Sequence, residues 1–290
     1  SGLFRFDQLA RASIDAGYST ADLFAFSANA ADPVSFFSVL AAAEWLPAAD
    51  REQAFTRSVA AAEEQLNSAP RPQAPYRRQA LNELRYQLIE FRLANGRTAQ
   101  AQSVLANAGE GFVEGFAARR PALYIQLKAA SGAMDELFTA NAAPLPEFAV
   151  HQAAVELRRS GSDGAADSLL RLFYEKKIAD RAYSPSYFLG LAELYLQRGA
   201  NQQAEALLRR MTALSPEPYG DHLDASVLLE KAGLLPSALG FASEKMRAEP
   251  WSRAAQFAVA GLEQSSAALA AIAGSNSAPY ELRVRTAQQL

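Results

Sequence analysis

Cysteine is missing from this chain of 290 residues, and histidine is scarce. The absence of cysteine excludes disulfide bonds, thiolate catalysis and zinc sites built on cysteine ligands. The two histidines, His151 and His222, lie far apart in the sequence, whereas a catalytic triad or a metal site needs histidine beside carboxylates or a nucleophile. We therefore expect no enzyme activity, no metal site and no cofactor.

An excess of charge of one sign and long apolar runs are also missing. The chain carries 28 basic and 31 acidic residues, a net charge of −3, so it has no overall field that would attract nucleic acid. A membrane-spanning helix needs about 20 consecutive apolar residues, and no stretch of this sequence approaches that length. We therefore expect neither a nucleic-acid partner nor membrane insertion by this chain.

Short motifs that carry chemistry are absent as well. The sequence has no glycine-rich phosphate loop followed by lysine, no His-Glu-x-x-His motif, no calcium-binding loop and no Gly-x-Ser-x-Gly elbow. Residues 160–164, Ser-Gly-Ser-Asp-Gly, are compatible with an anion-binding nest. A turn between two helices, with Ser162 or Asp163 as the helix cap, is the favoured interpretation.

Alanine and other helix-forming residues dominate what is present. Half of the residues are hydrophobic, which is enough for a continuous core. Alanine favours helix and permits close contact between helices. Alternating runs of Val, Ile and Thr bounded by turn residues, which would indicate strands, are not found. The sequence therefore predicts an all-α fold with roughly 65–75% helix, well above the third that is typical of globular proteins.

A repeat of 34 residues is the strongest pattern in the chain. One copy has large and small residues at fixed spacing around a turn glycine and a closing proline: Phe188, Leu191, Ala192, Tyr195, Gly199, Ala204, Leu208 and Pro216. The next copy keeps the small, turn and closing positions: His222, Ala225, Ser226, Leu229, Gly233, Ala238, Ala242 and Pro250. Small residues let the two helices of a hairpin approach closely, so we expect Ala204 and Ala238 to be buried. In this register His222 falls on a packing position.

These residues resemble the tetratricopeptide (TPR) repeat, specifically over residues 147–252 and more weakly elsewhere. The resemblance implies an α-α superhelix, a TPR-like solenoid of about eight helix hairpins. It also implies that the first helix of each hairpin lines a concave groove. Glycines at the turn of each hairpin extend the register along the chain: Gly96, Gly132, Gly161, Gly199 and Gly233.

The chain is divided by a proline-rich segment. Residues 1–67 are predicted to form N-terminal helical hairpins, degenerate in their repeat pattern, and residues 76–290 are predicted to form TPR-like repeats. Residues 68–75 contain three prolines and cannot be helical. We interpret this segment as a loop between repeats instead of a hinge, because the flanking helices are long and apolar enough to stack. Residues 253–263 and 266–273 are predicted to form a last, degenerate hairpin.

The TPR register, transferred residue by residue, also predicts a binding surface. The resemblance implies that the partner is a peptide or protein segment, held by a mixture of apolar anchors and polar groups. The Lys, Arg and Asn set with which TPR proteins clamp a carboxylate is incomplete here, so recognition of a free C-terminus is not expected. The register places Glu90, Val155 and Val227 on the groove side. The candidate partner-binding residues are Tyr86, Phe148, His151, Arg158, Arg159, Glu193, Gln197, Glu230 and Lys231.

The sequence therefore predicts a protein–protein interaction scaffold, part of a larger bacterial protein or of an envelope or export assembly. The alternative is the non-catalytic arm of a larger enzyme, a transferase or a peptidase. A helical-repeat RNA-binding protein is disfavoured by the charge balance. The Ser1-Gly2 start predicts a piece of a longer protein, and we expect the periplasm as its compartment, with the cytoplasm second. A homo-oligomer is compatible with the sequence.

Overall fold

The computed structural model describes residues 2–109, 111–139, 144–180 and 183–274, and residue 287. Helix makes up 78% of this part of the chain, slightly more than predicted, and no strand occurs in it. The predicted all-α class is confirmed. The end of the predicted repeat region, residues 275–290, lies outside the described residues apart from residue 287.

The helices fall into two compact units, Ser1–Ala166 and Asp167–Leu290, called here the first and the second unit. The first unit contains α1 (Gly2–Asp15), α2 (Thr20–Ala28), α3 (Pro33–Ala42), α4 (Ala48–Asn67), α5 (Ala74–Ala94), α6 (Thr98–Asn107), α7 (Phe112–Arg119), α8 (Pro121–Ala130), a 3-10 helix (Met134–Phe138) and α9 (Glu147–Arg159). Helix α10 (Asp163–Ala179) begins at the end of the first unit and continues into the second. The second unit then contains α11 (Pro185–Gln197), α12 (Asn201–Leu214), α13 (His222–Lys231), α14 (Leu235–Ala248) and α15 (Arg253–Ala273).

The turn glycines set the ends of the helices that the repeat predicted. All five have left-handed backbone, with φ between +70° and +78°, as a glycine after a helix end requires. The amide of Gly199 donates to the carbonyl of Leu196 at 3.0 Å, and that of Ala200 donates to the carbonyl of Tyr195 at 2.9 Å. Gly233 makes the same pair of bonds. These paired bonds satisfy the last carbonyls of a helix and turn the chain, so the predicted turns are confirmed.

Helices α4 and α5 pack against each other on either side of the proline-rich segment. Leu81 and Leu84 of α5 are buried in a cluster with Ala62 of α4. Residues 68–73 link the two helices, and Pro75 lies in the first turn of α5, where proline costs no helical hydrogen bond. The prediction that none of residues 68–75 is helical is wrong at its end, because Ala74 and Pro75 form the start of α5; the loop interpretation stays a prediction.

Charged side chains meet at the junction of α4, α5 and α6, at a repeat position where the best-matched repeat has a tyrosine. Glu52 of α4, which is 8% exposed, accepts a hydrogen bond from Nε of Arg92 at 2.8 Å and also pairs with Arg97. Arg92 also donates to the carbonyl of Gln100 at 2.9 Å, and burial lowers the pKa of its guanidinium. Arg92 stands four residues before its turn glycine, the position that Tyr195 occupies in the best-matched repeat.

The second unit is built from two layers of helices. Helices α11, α13 and α15 contact one another in order. On the other side, α12 and α14 are joined by an ion pair between Arg209 and Glu244 at 2.6 Å and by a hydrogen bond from Ser237 to Glu205 at 2.9 Å. Ala204 and Ala238 are fully buried, 0% exposed, as predicted.

The last predicted hairpin is wrong. Helix α15 runs without a break from Arg253 to Ala273, through residues 264–265, where a turn was expected. The sequence there is Gln-Ser and contains neither glycine nor proline, so nothing in it ends the helix. Gly261, inside α15, keeps right-handed backbone and does not turn the chain.

Candidate interaction groove

A surface groove of the first unit lies between α5, α8 and α9. It consists of two adjoining cavities of about 400 and 370 Å³. Both cavities are lined by Glu90 of α5, by Ala122 and Leu123 of α8 and by Gln152 of α9. The first cavity also contacts Gln126, Glu156 and Arg159, and the second also contacts Arg119, Arg120 and Phe148. We call this surface the α5–α8–α9 groove.

Small side chains create the space of the groove. Alanine occupies lining positions on four helices: Ala94 on α5, Ala118 on α7, Ala122 on α8 and Ala153 on α9. Pro121 sharpens the corner between α7 and α8, because proline has no amide hydrogen and is accepted at the first position of a helix. The corner places the arginines that precede Pro121 at one end of the groove.

Charged groups of both signs line the groove, and two of them have no ion-pair partner among the described residues. Arg120 pairs with Glu83 of α5, and Nη1 of Arg159 lies 2.7 Å from Oε1 of Glu156. Glu90 and Arg119 make no ion pair or side-chain hydrogen bond with any residue that the structure describes. Each of these two charges is available to a ligand.

An aromatic anchor stands at the edge of the groove. Phe148, in the first turn of α9, exposes 68% of its surface. Leu123 and Pro121 lie beside it in the same cavity, both partly buried. An exposed ring next to an apolar floor, with charges at the rim, is the usual composition of a protein-interaction hot spot.

The structure brings two of the predicted residues, Phe148 and Arg159, into this groove. His151 and Arg158 lie on the same helix, α9, at positions that do not line it. Nε2 of His151 lies 3.8 Å from Oε1 of Glu147, one helical turn earlier. Phe148 and Arg159 therefore mark the face of α9 that lines the groove.

Tyr86 requires a correction, because its side chain is 2% exposed and cannot meet a partner. Helix α7, which was not predicted, covers it. Phe112 and Phe116 of α7 lie with their ring centroids 5.2 and 5.1 Å from that of Tyr86. Burial also raises the pKa of the Tyr86 hydroxyl. Tyr86 is a core residue of the first unit.

The remaining predicted residues lie in the second unit and are all exposed. Glu193 and Gln197 are on α11, and Glu230 and Lys231 are on α13. These two helices contact each other, so the four side chains belong to neighbouring helices of one layer. Their role in binding stays a prediction.

The sequence analysis missed Gln126, Gln152 and Arg119. The repeat register contains a signal for Gln126, which lies six residues before Gly132. Glu90 and Glu193 hold the same place before their own turn glycines, and both were assigned to the groove side. Arg119 had no such signal, because α7 does not belong to the repeat.

Within the part of the chain that the structure describes, no three His, Asp or Glu residues come together as a metal site. No described helix combines the length and apolar character needed to cross a bilayer.

Comparison with known proteins returned no matching family model, no similar curated protein and no similar solved structure. The TPR resemblance therefore stays a prediction from the repeat pattern. The α5–α8–α9 groove and the residues that line it form the candidate binding site.

Proposed function

We propose that this chain is a protein-interaction module that holds a segment of a partner protein in the α5–α8–α9 groove. The observation that carries the proposal is Phe148, an exposed aromatic ring at the edge of a groove that also presents Glu90 and Arg119, neither of which forms an ion pair with a described residue. A buried aromatic anchor supplies most of the binding free energy of such an interface. Charges around it select the partner and orient it.

The repeat register supports the same surface. Helices α5, α8 and α9 each precede a turn glycine, namely Gly96, Gly132 and Gly161. They hold the place of the first helix of a TPR hairpin, which the resemblance implies to be the ligand-binding helix. We propose a TPR-like solenoid as the architecture, in which these three helices supply the binding surface. This role suits a scaffold in an assembly and the arm of a larger enzyme alike.

A selected peptide library tests the proposal. Segments that bind the chain are isolated from a displayed random library, and their affinities are measured by fluorescence anisotropy. Phe148→Ala removes the anchor and is expected to weaken binding by about 2 kcal/mol, roughly 30-fold in the dissociation constant. Phe257→Ala is the matched control, because Phe257 is also an exposed ring, 76% exposed, on α15 of the second unit.

Two results would contradict the proposal. One is a library that yields no binding segment. The other is a set of segments whose affinity falls as much with Phe257→Ala as with Phe148→Ala, which would place the binding surface on the second unit.

A further inference from the structure

One buried side-chain atom among the described residues has no hydrogen-bond partner, and it is Nδ1 of His222. His222 begins α13 and is 6% exposed. Buried polar atoms are nearly always paired in folded proteins, so this atom carries a cost that the rest of the fold offsets. The cost depends on the protonation state of the ring. Nδ1 of a neutral imidazole is either a donor or an acceptor, whereas both nitrogens of an imidazolium must donate.

The charged groups around His222 set which form of the ring its pocket holds. Oε2 of Glu244 on α14 lies 3.4 Å from Nε2 and can accept its hydrogen. Oε1 of the same carboxylate accepts a hydrogen bond from Nη1 of Arg209 on α12 at 2.6 Å. Burial is the main cause of the lowered pKa of His222; Glu244 opposes this shift, and the cations Arg209 and Lys245 add to it. The pocket therefore holds a neutral ring with its hydrogen on Nε2, and a proton added at Nδ1 finds no acceptor there.

The loop between α12 and α13, residues 215–221, contains strained backbone beside this ring. Tyr219 has φ +62°, in the left-handed region that residues with a side chain rarely adopt. Its ring centroid lies 5.0 Å from that of His222, so the imidazole packs against the strained residue. At the end of the loop, the carboxylate of Asp221 accepts a hydrogen bond from the hydroxyl of Tyr183. The loop is thus kept in a strained form by contacts that include the ring of His222.

We propose that residues 215–221 form an acid-sensitive loop, which opens when His222 takes up a proton. The imidazolium has a donor at Nδ1 that finds an acceptor only in water, so protonation stabilises the ring outside its pocket. Because His222 is the first residue of α13, it can turn outward while Ala225 and the rest of the helix stay packed. Tyr219 then loses the ring that it packs against and relaxes towards ordinary backbone. This loop lies in the second unit, and the inference does not depend on the α5–α8–α9 groove.

Amide hydrogen exchange of the full chain measures this opening. In the closed loop the amides of Gly220 and His222 donate to the carbonyls of Glu217 and Tyr219 at 2.9 and 3.5 Å, so their exchange reports the opening. Their protection, corrected for the intrinsic pH dependence of exchange, is compared at pH 7.5 and pH 5.5. It is expected to fall about tenfold at pH 5.5, the limit set by an ordinary pKa of 6.5 in the open loop. The amides of α11 should keep their protection.

Two histidine variants assign the response to one ring. His222→Phe keeps an aromatic ring against Tyr219 and removes the titrating group, so the loop should keep its protection at pH 5.5. His151→Gln removes the other histidine of the chain, which lies on α9, and is the matched control. In this variant the tenfold loss of protection should be the same as in the wild-type chain.

Nitrogen NMR of the histidine-labelled wild-type chain gives a second measurement, because its two imidazole rings can be resolved. At pH 7.5 we expect His222 to carry its hydrogen on Nε2, and its titration should share a midpoint with the loss of loop protection. Three results would overturn the inference. One is a hydrogen on Nδ1 of His222 at pH 7.5. Another is loop protection that is equal at the two pH values, or that falls in His222→Phe as in the wild-type chain. The third is an equal loss of protection in α11, which would show that acid unfolds more than the loop.

Discussion

At the scale of single residues, His222 shows how a repeat position can hold a buried polar group. Its ring centroid lies 5.0 Å from that of Tyr219 and 5.9 Å from that of Phe241. Nε2 lies 3.4 Å from Oε2 of Glu244, and Nδ1 has no hydrogen-bond partner among the described residues. His222 is a packing residue of the second unit, as its place in the register predicted. Burial lowers its pKa below the ordinary value of 6.5, and the carboxylate of Glu244 opposes this shift.

This pKa shift predicts a pH dependence of stability. Between the lowered pKa of the folded state and the ordinary 6.5 of the unfolded state, the unfolded chain binds the proton more readily. The free energy of unfolding should therefore fall as the pH drops through about 6.5 towards the folded pKa. Urea unfolding at pH 7.5 and at pH 5.5 measures the difference, and His222→Phe should make it smaller. An undiminished difference in that variant would contradict this account of His222.

At the scale of helices and turns, the glycines after helix ends are the feature that the sequence predicts best. Each occupies left-handed backbone, where a side chain is strained and glycine is not. A glycine inside a helix has the opposite effect, since it costs about 1 kcal/mol relative to alanine. The second unit contains both kinds: Gly199 at a turn, with φ +73°, and Gly261 within α15.

A matched pair of substitutions tests this distinction. Gly199→Ala is expected to destabilise the protein by about 1 kcal/mol or more, because alanine must adopt left-handed backbone. Gly261→Ala should stabilise it by roughly 0.5–1 kcal/mol, since nothing lies within 4 Å of the added methyl group. Thermal unfolding followed by circular dichroism gives both values. Effects of the same sign would show that the turn assignment at Gly199 is wrong.

Helix α7 marks where prediction from local sequence fails. It has only eight residues, and Gly115 lies in its middle, so local propensity alone does not favour it. Phe112 and Phe116 pack on Tyr86, which lies far away in the sequence, and this burial stabilises the helix. A contact of that kind cannot be inferred from the residues of α7, and the same contact removes Tyr86 from the surface.

At the scale of the whole molecule, the sequence predicts the helical class and part of the groove. Phe148 and Arg159 were predictable because α9 belongs to a well-matched repeat, in which the register alone assigns the groove side. Gln126 was not predicted, because the hairpin around Gly132 departs from the pattern. The second helix of that hairpin is a 3-10 helix of five residues. It is too short to carry the small and large residues by which the repeat pattern is recognised. The turn glycine was the only reliable marker there.

The absence of cysteine makes a direct test of the central claim possible. A single introduced cysteine is the only thiol, so its alkylation rate reports the accessibility of one position. Ala122→Cys places that thiol in the α5–α8–α9 groove, and Ala254→Cys places it at an exposed position of α15 in the second unit. Both substitutions are small and leave Phe148 and the two groove glutamines intact.

The measurement compares alkylation rates of the two variants with and without a saturating library-selected segment. We expect the bound segment to slow alkylation in Ala122→Cys and to leave the rate in Ala254→Cys unchanged. A segment that protects Ala254→Cys and leaves Ala122→Cys equally reactive would contradict the claim that the α5–α8–α9 groove is the binding site.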